Sequence, residues 1–376
     1  MTKYVLAPDS FKESMTAKEV CDAMEVGIRK VEEDAEIIKV PMADGGEGTV
    51  DSLVDATNGK KITLEVTGPL GNKVKAYYGL LGDGKSAVIE MAKASGLEIV
   101  PKNRRNPLIT TTYGTGELIK DALDHKVKEI IIGLGGSSTN DGGSGMAQAL
   151  GAHLLDKNNQ EIPWGGGNLD KLAKIDINNL DPRLKNVKII LASDVTNPLI
   201  GPEGASNIFG PQKGATPEMV EQLESNLKKY AQVIKKYLCK DVAQKAGAGA
   251  AGGLGAGLMA FTTCEMHQGI EIAIQVTQLE KKVKNADYVF TGEGGTDFQT
   301  KFGKTPYGVA KLGKKYHKPV ISLAGYLGKG INSLYDEGFT AIFGILPSAC
   351  SLEKALKDGP INVSRTTENV VRLLKF

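Results

Sequence analysis

The chain has 376 residues, 41% hydrophobic and 24% charged, a composition that excludes broad disorder and supports two globular domains. Its net charge of +2, from 46 basic and 44 acidic residues, excludes an electrostatic nucleic-acid footprint. Four scattered cysteines with no Cys-x-x-Cys pair exclude a zinc cluster or disulfide framework, and no apolar run reaches the roughly 18 residues that span a bilayer.

The first residues read strand, loop, helix, strand. Tyr4–Ala7 is a short apolar run, and Pro8–Lys12 is a loop. From Thr16, Val20, Met24, Ile28 and Val31 recur at helical spacing. Glu36–Met42 is a second strand, and a helix through Val50, Leu53 and Val54 follows a glycine-rich turn. Ile62–Met91 alternates apolar and polar residues with turns at Gly68-Pro69, Gly71-Asn72 and Gly82-Asp83-Gly84, the pattern of antiparallel hairpins. Then come a helix over Glu117–Leu123, a strand over Glu129–Leu134, a helix over Gly145–Leu150, a strand over Val187–Ala192 and a long helix over Met219–Leu238. The last hundred residues return to the opening rhythm: strand Tyr288–Thr291, helix Pro306–Tyr316, strand Pro319–Ala324, helix Ile331–Glu337, strand Thr340–Ile345 and a final helix carrying Val370, Leu373 and Leu374.

This order predicts an α/β protein of two α/β domains. One is a doubly wound parallel sheet built from both chain ends, residues 1–60 and 280–376. The other, residues 61–279, is inserted with a mixed sheet. Two sequential domains split near residue 180 is the alternative.

Glycine is the compositional outlier, at 46 residues or about 12% against a usual ~7%. The glycines cluster in loops that follow apolar strands, where open parallel sheets bind ligands. Ala7–Lys12 offers Asp9 as an acid or turn residue, and Lys12 as a phosphate clamp or surface lysine. Ala43–Gly48 carries Asp44 and Glu47, which could cap the next helix but sit among more glycines than a cap requires. Gly133–Gly145 is the densest loop: Gly135, Gly136, Ser137, Ser138, Thr139, Asn140 and Asp141 can cradle nucleotide phosphates. It has neither the Walker A ending nor the Rossmann fingerprint. Asp194 and Asn197 follow another strand, and Glu293 and Asp297 could bind Mg²⁺ with substrate phosphates. Arg104 and Arg105 suit bidentate capture of a carboxylate or phosphate. Gly247–Gly257 is either a loop hugging a ligand or a close helix-packing surface. The four histidines lie outside these loops, and no Gly-x-Ser-x-Gly elbow is present. Carboxylates, a lysine, arginines and glycine loops together fit phosphoryl transfer.

The segments APDSFK (7–12), PMADGGEGT (41–49), NRRNPL (103–108), TTYGTGELI (111–119), GGSSTNDGGSGM (135–146), SDVTNPL (193–199), FGPQKGA (209–215), GAGAAGGLGAGL (247–258) and TGEGGTDFQT (291–300) resemble, in this order, the bacterial glycerate kinases of type I. The resemblance implies a flavodoxin-like domain, a second α/β domain and an active site in the cleft between them. It implies ATP-dependent phosphorylation of glycerate with Mg²⁺, the 2-phosphate being the usual product. On this reading Arg105 and Arg104 hold the carboxylate, with Ser10 and Asn197 also on the substrate. Asp194 is base or orienter, Lys12 steadies the phosphoryl group, and Asp44 serves catalysis or competes with Glu293 and Asp297 for the metal. Glu13 and Gly295 depart from the pattern, which favours a small residue at the first and a larger or polar one at the second. Free thiols and the absence of a secretory start fit a cytoplasmic protein with no membrane or nucleic-acid partner, and a homodimer is the assembly considered. The alternatives are a kinase for another hydroxy or sugar acid, or a non-catalytic small-acid sensor; a dehydrogenase lacks its fingerprint.

Overall fold

The computed structural model describes residues 1–376. In chain order the elements are β1 (Lys3–Leu6), α1 (Ala17–Arg29), β2 (Glu36–Lys39), α2 (Thr49–Thr57), β3 (Lys60–Thr67), β4 (Lys73–Leu80), β5 (Ser86–Glu90), α3 (Ala92–Ser95), α4 (Tyr113–Asp124), β6 (Glu129–Gly133) and α5 (Ser144–Ala149). They continue as β7 (His153–Leu155), β8 (Lys174–Asp176), β9 (Lys188–Ala192), α6 (Ala205–Phe209), α7 (Pro217–Leu238), α8 (Ala250–Phe261), β10 (Cys264–His267), α9 (Gly269–Val276) and α10 (Leu279–Lys284). The chain closes with β11 (Tyr288–Thr296), α11 (Thr305–Tyr316), β12 (Val320–Leu327), β13 (Ala341–Gly344), α12 (Leu352–Lys357) and α13 (Gly359–Leu374). No helix is long and apolar enough to cross a membrane.

The chain divides into two compact units. Unit 1 holds Met1–Asp44, Asp51–Gly59 and Gln268–Phe376, and unit 2 holds Gly45–Val50 and Lys60–His267. In unit 1 a five-stranded, all-parallel sheet runs β13-β12-β11-β1-β2. Counted in the unit's own strands this is the 2-1-3-4-5 order of the doubly wound flavodoxin-like fold. Tyr4, Leu6, Phe290 and Leu323 from the strands pack with Val20, Met24 and Ile28 of α1 and Val363 and Val371 of α13. Helix α1 starts cleanly because Thr16 and Glu19 form a capping box, each side chain accepting the other's backbone N–H.

In unit 2 a six-stranded sheet runs β10-β9-β6-β5-β4-β3. The pairs β3–β4 and β4–β5 are antiparallel, as the alternation over Ile62–Met91 predicts, and the pairs β5–β6, β6–β9 and β9–β10 are parallel. Strands β5, β6 and β9 supply Ile89, Ile130, Ile132, Ile189 and Leu191, packed against Leu118, Met146 and Leu254 from helices.

Two local expectations change, and some brief elements go unread in the sequence. The strand expected to end at Thr291 runs on to Thr296, because β11 stays paired with β12 through Thr296 and Leu327. Ile331–Glu337 is a 3₁₀ helix. The hairpin β7–β8 and the short helices α9, α10 and α12 are too brief for periodicity to reveal.

Candidate active site

In unit 1 the chain leaves β1 toward β2 on one side, while β11, β12 and β13 extend on the other. The crevice at the carboxyl ends of β1 and β11 is therefore the topological switch point, where such sheets bind ligands. Asp9 sits there, its N–H donating to the Gly292 carbonyl at 2.9 Å. Its carboxylate accepts from the Ser10 N–H at 2.6 Å and from Thr305 Oγ1 at 2.6 Å. Thr305 opens α11, so the carboxylate lies at a helix N-terminus that favours negative charge. Met42 N–H donates to the Pro8 carbonyl at 2.9 Å, which carries the segment ending in Asp44 alongside the same loop. Burial, then the Asp44 carboxylate and more weakly Glu293, push the Asp9 carboxyl up to about 7, against the pull of Thr305 and Ser10.

Glu293 is buried. Its carboxylate accepts from Thr300 Oγ1 at 2.6 Å and Thr296 Oγ1 at 3.1 Å, and pairs with Lys304 Nζ at 3.0 Å. Burial raises its pKa, and these three partners oppose the rise. Asp297 accepts from the Gln299 N–H at 2.7 Å and caps the 3₁₀ turn Phe298–Lys301. Of the three predicted metal ligands, Glu293 thus answers to a lysine and Asp297 to a cap, whereas Asp44 shares its surroundings with Asp9. Mg²⁺ requires only one or two carboxylates, completing its shell with phosphate oxygens and water, and the Asp9–Asp44 pair fits that need. Lys12 is exposed in the tight turn Phe11–Met15. Glu13 in that turn has φ 62°, the left-handed region, which is why a small residue suits the position. Ser10 is half-buried beside Asp9.

In unit 2 the dense loop after β6 turns inward. Asp141 is fully buried and accepts from the N–H and Oγ1 of Thr112, both at 2.9 Å, and from the N–H groups of Gly143 and Gly145. Burial raises its pKa, and these donors oppose the rise. Ser138 Oγ donates to the Ser95 carbonyl, and Asn140 Nδ2 donates to Ser206 Oγ. Lys213, itself buried, donates to Ser137 Oγ at 2.8 Å and to the Thr139 carbonyl at 2.6 Å, and burial drives its amine down to about 7. Of the seven residues expected to cradle phosphates, only Gly135 and Gly136 are exposed. Ser137 through Asp141 are buried, and most of their polar groups bond within the unit, while Thr139 Oγ1 and Asn140 Oδ1 have no partner within the protein.

The segment Gly247–Gly257 explains how that loop is held. Ala251, Gly252 and Gly253 adopt left-handed φ values at the start of α8. A Cβ on Gly252 would stand 1.9 Å from the Thr139 carbonyl oxygen, and one on Gly257 would stand 2.6 Å from that of Gly142. Between the two readings of this segment, the structure chooses close packing.

Arg104 ends a 3₁₀ turn and is exposed; Arg105 follows, half-buried. Arg105 donates weakly from Nη2 to the Leu97 carbonyl at 3.4 Å, and its buried Nε has no partner within the protein. Asp194 is exposed just past β9, and Asn197 in the same loop donates to the Glu203 carbonyl at 2.8 Å.

Over residues 4–375 the sequence matches the profile of the glycerate kinase family. The chain belongs to the glycerate kinase family. It is 54% identical to a glycerate kinase of Haemophilus influenzae, covering 100% of this chain and 99% of that one. It is 53% identical to the glycerate 2-kinase of Escherichia coli, covering 99% and 98%. The crystal structure of a putative glycerate kinase 2 from Salmonella typhimurium LT2 superposes with a TM-score of 0.92 at 52% identity, covering 100% of this chain and 98% of that one.

Membership in the glycerate kinase family makes the chain an enzyme, and it directs attention to groups that sequence reasoning passed over. Lys304 and Thr305 act on Glu293 and Asp9, and their only sequence signal was a Thr-Pro helix start. Lys213 lies in the segment FGPQKGA, which pointed to the family without giving the lysine a role. The histidines stay outside these sites: His125 contacts Tyr78, His153 pairs with Glu161, His267 with Glu265, and His317 ends α11 in a left-handed conformation.

Proposed function

We propose that the protein transfers the γ-phosphoryl group of ATP to glycerate, forming 2-phosphoglycerate. The observation that carries this reading is the switch point of unit 1, where Asp9, Asp44 and Glu293 gather with Lys304 and Thr305. Phosphoryl transfer needs positioning and charge neutralisation, and this set offers both. A Mg²⁺ ion held by Asp44 with Asp9 would supply neutralisation of the nucleotide phosphates. Lys12, exposed on the adjoining turn, steadies the transferring group as a mobile point charge, and Ser10 offers a hydroxyl beside it.

Unit 2 supplies the groups suited to the acid. Arg105, with Arg104, takes the glycerate carboxylate, and the unpartnered Nε of Arg105 is a buried donor that a carboxylate would satisfy. Asp194 accepts the proton of the attacking hydroxyl, and Asn197 helps orient the acid. Gly135 and Gly136 remain open for a backbone approach to phosphate.

Phosphorus NMR of the product from glycerate, ATP and Mg²⁺ tests the proposal. One ester resonance coupled to the C2 proton is expected. An ester on C3 overturns the regiochemistry, and no ATP consumption with glycerate overturns the reaction.

A further inference from the structure

Three aromatic side chains stand exposed at the carboxyl end of the unit 1 sheet: Tyr326 at 66%, Phe302 at 64% and Phe298 at 45%. Such rings forgo burial where they stand, and large rings left exposed are where a ligand can stack. Phe298 and Phe302 meet edge to face, with centroids 6.4 Å apart. Tyr326 lies opposite Gly295 in the β11–β12 register.

Gly295 is the informative neighbour. Its φ is not in the left-handed region, and an added Cβ would meet nothing closer than Tyr326 Cδ1 at 3.8 Å, an ordinary contact. Neither backbone conformation nor packing therefore demands glycine there. A side chain at Gly295 would lie against the Tyr326 ring at Cδ1, so glycine there leaves the 66%-exposed ring more open. Two lysine ammonium groups are placed nearby: Lys304 Nζ reaches the Gly295 carbonyl at 3.3 Å and Lys301 Nζ lies over the Phe302 ring, while the backbones of Lys329 and Lys12 border Phe298 and Gly294. Gly295 is two residues beyond Glu293, about 7 Å along the strand, a gap that a ribose spans.

We propose that Tyr326 is the stacking platform for the nucleobase of the donor nucleotide, whose phosphates run back past Lys304 toward Asp9 and Lys12. Aromatic rings with lysines alongside recognise a base and its phosphates together. This rests on the reading of ATP as donor.

The test compares wild type with Tyr326→Ala, Tyr326→Phe and Gly295→Val in steady-state assays with ATP, glycerate and Mg²⁺, and uses inorganic tripolyphosphate as a base-free competitor. In Tyr326→Ala the KM for ATP should rise about 5- to 100-fold. The KM for glycerate, the inhibition constant of tripolyphosphate and the thermal midpoint should stay within twofold or two degrees of wild type. Tyr326→Phe should keep the wild-type KM, and Gly295→Val, which covers the ring, should raise it without loss of thermal stability. An unchanged KM for ATP in Tyr326→Ala overturns the inference, as does an equal weakening of tripolyphosphate. Absence of ATP turnover in the wild type overturns the donor reading itself, and the inference with it.

Discussion

Thr305 Oγ1 donates a 2.6 Å hydrogen bond to Asp9 Oδ2, joining residues 296 positions apart in the chain. The bond ties the loop after β1 to the first turn of α11 and fixes the carboxylate at the switch point of the sheet. It also opposes burial and the neighbouring Asp44 charge, the two influences that would leave Asp9 protonated. A hydrogen bond to a charged group contributes about 1.5–3 kcal/mol, enough to change the charge state of Asp9 when it is removed.

Thr305→Val should therefore lower kcat/KM by about tenfold or more, and Thr305→Ser, which keeps the hydroxyl, should restore most of it. The check is steady-state kinetics with ATP and glycerate on both variants. Equal activity in wild type and Thr305→Val would remove this bond from the working site.

Asp194→Asn should cut kcat by about 100-fold or more, as expected for loss of a general base. Because Asp194 is exposed on a loop, its thermal midpoint should match wild type. Near-normal turnover would take the base role away from Asp194.

Lys213 gives a pH signature in stability. Its amine falls from 10.5 to about 7 on folding because burial penalises the charged form. A depressed pKa contributes stability above the unfolded value and loses it as pH falls toward the folded one. The thermal midpoint of wild type relative to Lys213→Met should thus rise by several degrees between pH 7 and pH 10. A difference that stays flat across that window would show that the amine is not depressed.

Gly252→Ala should destabilise by about 2–5 kcal/mol, because it combines a left-handed φ of 66° with a Cβ 1.9 Å from the Thr139 carbonyl oxygen. Denaturant unfolding measures it. A loss below 1 kcal/mol would mean that α8 can shift away from the loop.

By itself the sequence determined the alternation of strands and helices, since the periods of Val20–Val31 and Ile62–Met91 need no partner to be read. It also determined the reaction class, because acids and glycines recur after strands, and nine ordered segments pointed to the family. Tertiary structure decided which of those loops are exposed and which are buried. From composition Ser137–Asp141 reads as a phosphate cradle; in the structure these residues are buried, and Lys213, Ser206 and Thr112 take up several of their polar groups, neighbours that no local pattern names. Asp9 gained its weight from Asp44 and Thr305, neighbours that no local pattern can supply, because a carboxyl's charge state depends on what surrounds it in space.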